Sequence, residues 1–230
     1  MKTRWSRALT SAAAAVSLGL AGCAGMQKNS AKVDDSWLAR VPQSQMAPVN
    51  AARDEHQRAQ DAVERAKVSV DDAKKALEVA RHDEDAAKAR MEADKVGVER
   101  AKGRGQAQAI QTAQSTLATS EGALAKAKAD VKLHQEQVQV AEAKQELAER
   151  QEDVADAKLS VARYEALKAS RDVRARELSE PEFRARVAQA QSDVANAERK
   201  VQEESQQAQQ ARLELDRMNG SGQGYGGSGQ

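Results

Sequence analysis

The sequence predicts an all-α protein: an elongated antiparallel coiled coil of three long helices, with a disordered N-terminal tether and a glycine-rich C-terminal tail. Aromatic residues make up only 2% of the 230 residues, too few for a globular core of ordinary thickness. Alanine, glutamine, glutamate, lysine and arginine dominate, and long helices favour these residues. In three segments the apolar residues recur in alternating steps of four and three, which is the heptad pattern of coiled coils.

Residues 1–22 are predicted to be a secretory signal peptide. Lys2, Arg4 and Arg7 give it a positive start, and residues 8–20 carry no charge. This stretch is short and weakly apolar, whereas a helix that spans a bilayer needs about 20 apolar residues. We therefore expect cleavage rather than a retained transmembrane anchor.

The sequence Leu20-Ala21-Gly22-Cys23 resembles the lipobox of bacterial lipoproteins at each of its four positions. The resemblance implies cleavage before Cys23, lipid on its sulfur and a further acyl chain on the new amino terminus. Two or more acyl chains hold a protein stably on a membrane. In the sorting rule of that family, aspartate after the cysteine retains the protein in the inner membrane. Ala24 therefore implies the periplasmic face of the outer membrane.

Residues 23–48 are predicted to form a flexible tether, because no helical period is present and two prolines interrupt the segment. Trp37, Leu38 and Val41 form a small apolar cluster within it. We interpret the cluster as part of a loosely ordered linker. The alternative is that it docks on the helices or on lipid headgroups.

The first coiled-coil helix is predicted over residues 49–102. One of its two core positions is almost always alanine, which lets two helix backbones approach closely and predicts a thin antiparallel hairpin. Two glycines fall close together in Lys102–Gly105 and mark the turn. The core positions are Ala52, His56, Ala59, Val63, Ala66, Val70, Ala73, Leu77, Ala80, Glu84, Ala87, Met91, Asp94, Val98 and Ala101.

The second helix is predicted over residues 106–178, and its core pattern pairs back on the first helix. A second apolar stripe beginning at Val140 predicts a second neighbour, with an overlap of both neighbours near residues 142–156. The first stripe is Ile110, Ala113, Leu117, Ser120, Leu124, Ala127, Val131, His134, Val138, Ala141, Gln145, Ala148, Glu152, Ala155, Leu159 and Ala162. The second is Val140, Ala143, Leu147, Val154, Ala157, Val161 and Tyr164.

The third helix is predicted over residues 180–218, starting at the capping-box sequence Ser179-Glu180-Pro181-Glu182. The sequence leaves open whether the break near Ser179 is a full hairpin turn or a kink. The glycine-rich residues 219–230 are predicted to be disordered. The core positions of the third helix are Phe183, Val187, Ala190, Val194, Ala197, Val201, Glu204, Ala208, Ala211, Leu215 and Met218.

Residues able to carry chemistry are sparse, and we expect no enzymatic activity, cofactor, metal or small-molecule substrate. His56 and His134 occupy heptad core positions without a second histidine or cysteine at ligand spacing, so we interpret them as polar layers. His82-Asp83-Glu84-Asp85 fans around a helix and is interpreted as a solvated face, because hard cations need converging oxygens.

The charge pattern argues against a nucleic-acid partner. The chain has 36 basic and 35 acidic residues, and loss of Lys2, Arg4 and Arg7 leaves 33 against 35. The signs are interleaved, so there is no basic stripe to neutralise phosphates.

Residues 140–201 resemble the coiled-coil hairpin tip of periplasmic adaptor (membrane fusion) proteins. Arg163 and Leu167 keep that family's spacing, while Ser179 comes five residues late, and the domains that flank the family's hairpin are absent from this chain. The resemblance implies a docking tip at Arg163, Leu167 and Ser179 that contacts an outer-membrane efflux or secretion channel.

The leading hypothesis is a non-catalytic, lipid-anchored cell-envelope protein that serves as a periplasmic spacer, scaffold or docking arm. Its expected partners are membrane lipid through Cys23 and envelope proteins, or a second copy through the coiled coil. The adaptor-like component is the first alternative. A periplasmic holdase chaperone is the second.

Overall fold

The computed structural model describes residues 33–221, and it has the all-α fold that the sequence predicts. Three long helices run over Ala47–Arg104 (α1), Ala107–Ala169 (α2) and Glu180–Ser221 (α3). No strand occurs within this range, and no helix in it has an apolar stretch long enough to cross a bilayer. The predicted signal peptide, the lipobox-like sequence with Cys23, and residues 222–230 of the predicted tail lie outside the described residues.

Helix α1 begins and ends where its sequence gives reasons for it to do so. Pro48 lies in the first turn, where a missing backbone N–H leaves no hydrogen bond unmade. At the other end Gly105 adopts φ 70°, and its N–H donates to the carbonyl oxygen of Lys102 over 3.1 Å. Glycine adopts this left-handed conformation without the steric strain that a Cβ would add. The turn predicted at Lys102–Gly105 is thereby confirmed.

Helices α1 and α2 pack as an antiparallel pair. Glu55 contacts Lys158 at 2.6 Å, and Lys74 contacts Glu142 at 3.0 Å, so residue numbers rise on one helix as they fall on the other. Every predicted core position in the two helices is buried or partly buried, which confirms the heptad assignment. The ion pairs are exposed and contribute at most about 1 kcal/mol each, so the apolar and alanine layers carry most of the pairing free energy.

Helix α3 packs antiparallel on α2, so the break before it is a full hairpin turn. Three ion pairs join the two helices in reverse order: Lys132 with Glu214 at 2.8 Å, Glu146 with Lys200 at 2.6 Å, and Asp156 with Arg186 at 2.6 Å. All the predicted core positions of α3 are shielded from solvent except Met218. Helix α2 is therefore the central helix, with α1 and α3 packed against it.

Helix α2 is shorter than predicted. The section of α2 that packs against both α1 and α3 is longer than predicted. The helix ends at Ala169 and not at residue 178, because the chain turns at Arg171, whose φ is 57°. Since the turn comes early, α3 reaches further back along α2. Ala129 and Leu133 are buried in heptad step with the second stripe, which therefore begins before Val140. The overlap predicted for residues 142–156 extends beyond both of those limits.

The residues between α2 and α3 form an ordered connection. The side chain of Asp172 accepts the N–H of Arg174 over 3.0 Å and starts a 3₁₀ helix, Val173–Glu177. The carbonyl oxygen of Ser179 accepts the N–H of Glu182 at the start of α3. The start predicted at residue 180 is confirmed, while α3 continues to Ser221, beyond the predicted end at residue 218.

The prediction of a flexible tether over residues 23–48 is wrong for the described residues, 33–48. Residues 33–46, here called the strap, contain two 3₁₀ helices, Asp35–Arg40 and Gln43–Gln45, and lead directly into α1. Val33, Leu38 and Val41 are buried. The strap is ordered because these apolar side chains cover apolar ends of the long helices. The alternative reading, docking on the helices, is the one observed for this cluster.

The ion pairs between α2 and α3 predict a loss of stability in acid. Hydrogen bonds from Lys200 and Lys132 hold the pKa values of Glu146 and Glu214 below the ordinary value of 4.5. A carboxylate with a lowered folded-state pKa stabilises the fold above its ordinary pKa, and this contribution disappears as the pH falls through the folded value. Thermal unfolding followed by circular dichroism should therefore give a lower Tm at about pH 3 than at about pH 7.

The double variant Glu146→Gln and Glu214→Gln is the matched test of that cause. It should have a lower Tm than the parent at neutral pH and should lose less on acidification. An equal acid-induced loss in the parent and the variant would show that other carboxylates account for it.

Candidate functional site

A compact apolar cluster lies where the strap, the α2–α3 connection and one end of α1 meet. We call this region the hairpin end and the cluster its aromatic core. The rings of Tyr164 and Phe183 stack with centroids 5.1 Å apart, an arrangement that adds about 0.5–1.5 kcal/mol to their burial. Phe183 is 1% exposed. The buried members are Val33, Leu38, Val41, Val49, Ala52, Leu159, Tyr164, Ala166, Leu167, Ala175 and Phe183.

The strap is fixed to two helices through one carboxylate. Asp35 contacts Arg53 of α1 at 3.0 Å through one oxygen and Arg163 of α2 at 2.9 Å through the other. The Arg163 side chain is only 15% exposed, and its Nε has no hydrogen-bond partner among the described residues. Asp35 therefore supplies a counter-charge to a largely buried guanidinium.

Replacement of Asp35 by asparagine should lower the free energy of unfolding by about 1–2 kcal/mol. The change leaves Arg163 largely buried without a carboxylate, and a charged hydrogen bond of this kind contributes on that scale. Chemical denaturation measures the effect. Asp72→Asn is the matched control, because its pair with Lys75 is exposed on both sides and should change stability by less than about 0.5 kcal/mol. Equal effects would contradict the role given to Asp35.

A second set of contacts joins the strap to the α2–α3 connection. Arg174 donates to both oxygens of Asp172, at 2.9 and 2.6 Å, and these hydrogen bonds hold the pKa of the Asp172 carboxyl well below its usual range. The same guanidinium lies 5.2 Å from the centroid of the Trp37 ring and donates to the Trp37 carbonyl oxygen over 3.3 Å. The guanidinium therefore makes a cation–π contact with the indole ring. The connection is thus held against the strap.

The residues of the predicted docking tip come to the same end of the molecule but do not form one exposed surface. Leu167 is 0% exposed and belongs to the aromatic core. Arg163 is largely buried and bound to Asp35, and Ser179 is half-buried beside the start of α3. A contact between Leu167 and a partner does not fit this geometry, because the strap and the α2–α3 connection pack around it.

The sequence interpretation missed Asp35 and Arg174, which join the strap to the rest of the fold. The available signal was the apolar cluster around Trp37, since three large apolar residues within five positions are unusual in a flexible linker. The partner of each charged residue is far away in the sequence: 128 positions separate Asp35 from Arg163. No short-range sequence pattern indicates a pair of residues so far apart.

Two of the three histidines lie at a helix interface. His56 and His134 are half-buried at the α1–α2 interface, with His56 Nε2 3.7 Å from Glu152 and His134 Nε2 4.0 Å from Asp130. His82 is exposed, 4.0 Å from Glu78 on its own helix. Within residues 33–220 no three histidine, cysteine, aspartate or glutamate side chains come together as a metal site.

A shallow groove of about 350 Å³ runs across all three helices next to the hairpin end. It is lined by Glu55, Ala59, Gln151, Val154, Ala155, Lys158, Gln191 and Val194. The pair between Glu55 and Lys158 leaves both charges compensated, so the groove offers mainly alanine, valine and amide surface. Comparison with protein-family models, curated proteins and solved structures found no match to this chain.

Proposed function

We propose that the chain is a non-catalytic, lipid-anchored protein of the bacterial cell envelope that acts as a spacer or docking arm on the periplasmic face of the outer membrane. The observation that carries the proposal is the Leu20–Cys23 lipobox, followed ten residues later by a strap that folds onto one end of a long helical hairpin. Ala24 after the cysteine supports the outer membrane over the inner one.

The dimensions of the helices support a spacing role. Helix α1 has 58 residues, which at 1.5 Å per residue is about 87 Å. Helix α2 pairs with it antiparallel, so the hairpin end and the turn at Gly105 lie at opposite ends of this pair. A lipid on Cys23 is attached through the strap to the hairpin end. The Gly105 turn is then the part available to an envelope partner or to a second copy of the chain.

The ordered strap restricts how far the helices sit from the anchor. Val33 lies ten positions after Cys23, and at no more than about 3.6 Å per position this segment can span at most about 36 Å. A tether extending to residue 48 would allow more than twice that reach. The strap therefore supports an arm whose base stays near the bilayer.

Mass spectrometry of the protein purified from membranes tests the proposal. We expect the mature chain to start at Cys23 and to carry the added mass of a diacylglyceryl group and an acyl chain. The Cys23→Ser variant should lack this mass and should move from the membrane to the soluble fraction. An intact chain that retains residues 1–22, or a Cys23 without lipid, would contradict the proposal.

The two alternative functions receive less support. An adaptor-like contact through Arg163, Leu167 and Ser179 needs an exposed Leu167, whereas this side chain has no exposed surface. A holdase needs an apolar surface for an unfolded client, and the aromatic residues Tyr164 and Phe183 are instead buried in the aromatic core.

A further inference from the structure

The α2–α3 connection presents an apolar side chain between exposed arginines. Val173 is 70% exposed, the highest value among the large apolar residues with described side chains. Arg171 and Arg176 on either side of it are also exposed. A single exposed valine is ordinary on a protein surface, but membrane-interface surfaces also place exposed apolar side chains beside basic ones.

Several basic groups at this end are not neutralised within the fold. Lys168 is paired with Glu180 and Arg174 with Asp172. Arg40, Arg171 and Arg176, by contrast, have no carboxylate within ion-pair distance in the part of the chain that the structure describes. Arg40 is exposed at the end of the strap's 3₁₀ helix Asp35–Arg40, and Arg174 joins this helix to the α2–α3 connection through Trp37. The exposed Glu177 is the opposing charge on the loop.

The backbone that carries these residues is held in place before any partner arrives. Asp172 caps the 3₁₀ helix Val173–Glu177, and Arg174 joins the loop to Trp37 of the strap. Preorganisation reduces the entropy lost on binding. The strap also brings the chain that leads to Cys23 into this same end of the molecule, since Val33 is part of the aromatic core.

We propose that Arg40, Arg171, Val173 and Arg176 form a docking surface for an anionic phospholipid bilayer. The inference rests on the proposed lipid anchor, which brings this end within about 36 Å of the membrane. The arginines bind the headgroup phosphates, and Val173 inserts between the headgroups. The loop then orients the arm by giving its base a second contact beside the lipid.

Vesicle binding tests this surface without the lipid anchor. The chain from residue 23 onward with Cys23→Ser should co-sediment with vesicles of phosphatidylcholine and phosphatidylglycerol, and much less with phosphatidylcholine alone. Each arginine near an anionic surface contributes about a fivefold factor in binding, so Arg171→Gln with Arg176→Gln should weaken binding about 25-fold. Circular dichroism of the Cys23→Ser chain, with and without the two arginine substitutions, checks that each protein is folded.

The matched control removes the same charge from the other end of the molecule. Arg100→Gln with Arg104→Gln changes two exposed arginines beside the Gly105 turn and should weaken binding less than about twofold. Equal weakening by the two double variants, equal binding to both kinds of vesicle, or no binding to either would overturn the proposal. Because no lipid is attached in this assay, its failure leaves the lipidation of Cys23 to be judged separately by mass spectrometry.

A fluorescent label locates the contact. With Cys23→Ser in place, Val173→Cys provides the only thiol, and an environment-sensitive fluorophore on it should shift to shorter wavelength on the anionic vesicles. The same fluorophore at Gly103→Cys, where a side chain has open space, should not shift. Binding without a shift at position 173, or with equal shifts at both positions, would show that another surface docks.

Discussion

Leu167→Ala is expected to lower the free energy of unfolding by about 2–5 kcal/mol. Leu167 is 0% exposed and lies in the aromatic core with Phe183 and Val49. The change removes buried methyl groups and leaves a cavity that the neighbours fill only in part, because the strap, α2 and the α2–α3 connection hold them in place. Denaturant titration followed by circular dichroism measures the loss.

The same chemical change at Leu213 is the control. Leu213 lies on α3 and is 58% exposed, so Leu213→Ala should change stability by less than about 0.5 kcal/mol. The comparison also separates the two roles considered for Leu167. A residue that contacts a partner from an exposed position would behave like Leu213 in the isolated protein. A small effect at Leu167 would therefore contradict the aromatic core and favour the adaptor-like docking tip.

Ala143→Leu combined with Ala157→Leu is expected to lower the free energy of unfolding by about 2–6 kcal/mol. Both alanines are 1% exposed in the second stripe of α2. Insertion of a larger side chain into a close-packed interface costs about 1–3 kcal/mol per site. The two sites are 14 residues apart, about 21 Å along the helix, so their effects should add. Thermal and chemical unfolding measure the sum.

The control for this pair is Ala188→Leu on α3. Ala188 is exposed, and leucine has nearly the helix propensity of alanine, so this variant should keep the stability of the parent. If the double variant proved as stable as Ala188→Leu, the alanine layers would not set the spacing of α2 and α3. The pairing would then rest on the ion pairs and the aromatic core.

The helices could be predicted from sequence because their pattern is local and repeated. Apolar residues spaced alternately four and three apart, from Ala52 to Ala101 and from Ile110 to Ala162, indicate the α1–α2 interface. They do so because one face of each helix is buried along its whole length. Gly105 ends α1 for a conformational reason that a single residue carries. The end of α2 is harder to predict from the sequence, because the turn is made by Arg171 in a left-handed conformation and no glycine marks it.

The strap could not be predicted for the opposite reason. Its order depends on contacts with residues far away in the chain, such as Asp35 with Arg163 and Arg174 with Trp37. A segment of two short 3₁₀ helices and one proline has no periodicity to detect. Leu167 illustrates the same limit, because its spacing to Arg163 matched a docking motif whereas its burial depends on the strap above it.

In the proposed arrangement the hairpin end lies at the membrane and the Gly105 turn lies away from it. Energy transfer to an acceptor dye in the bilayer tests this directly, with the lipidated protein in vesicles and a donor on Val173→Cys or on Gly103→Cys. Under the proposed lipidation the thiol of Cys23 is modified, so each variant has a single free thiol. We predict strong transfer from position 173 and weak transfer from position 103. Equal transfer from the two positions, or stronger transfer from position 103, would contradict the claim.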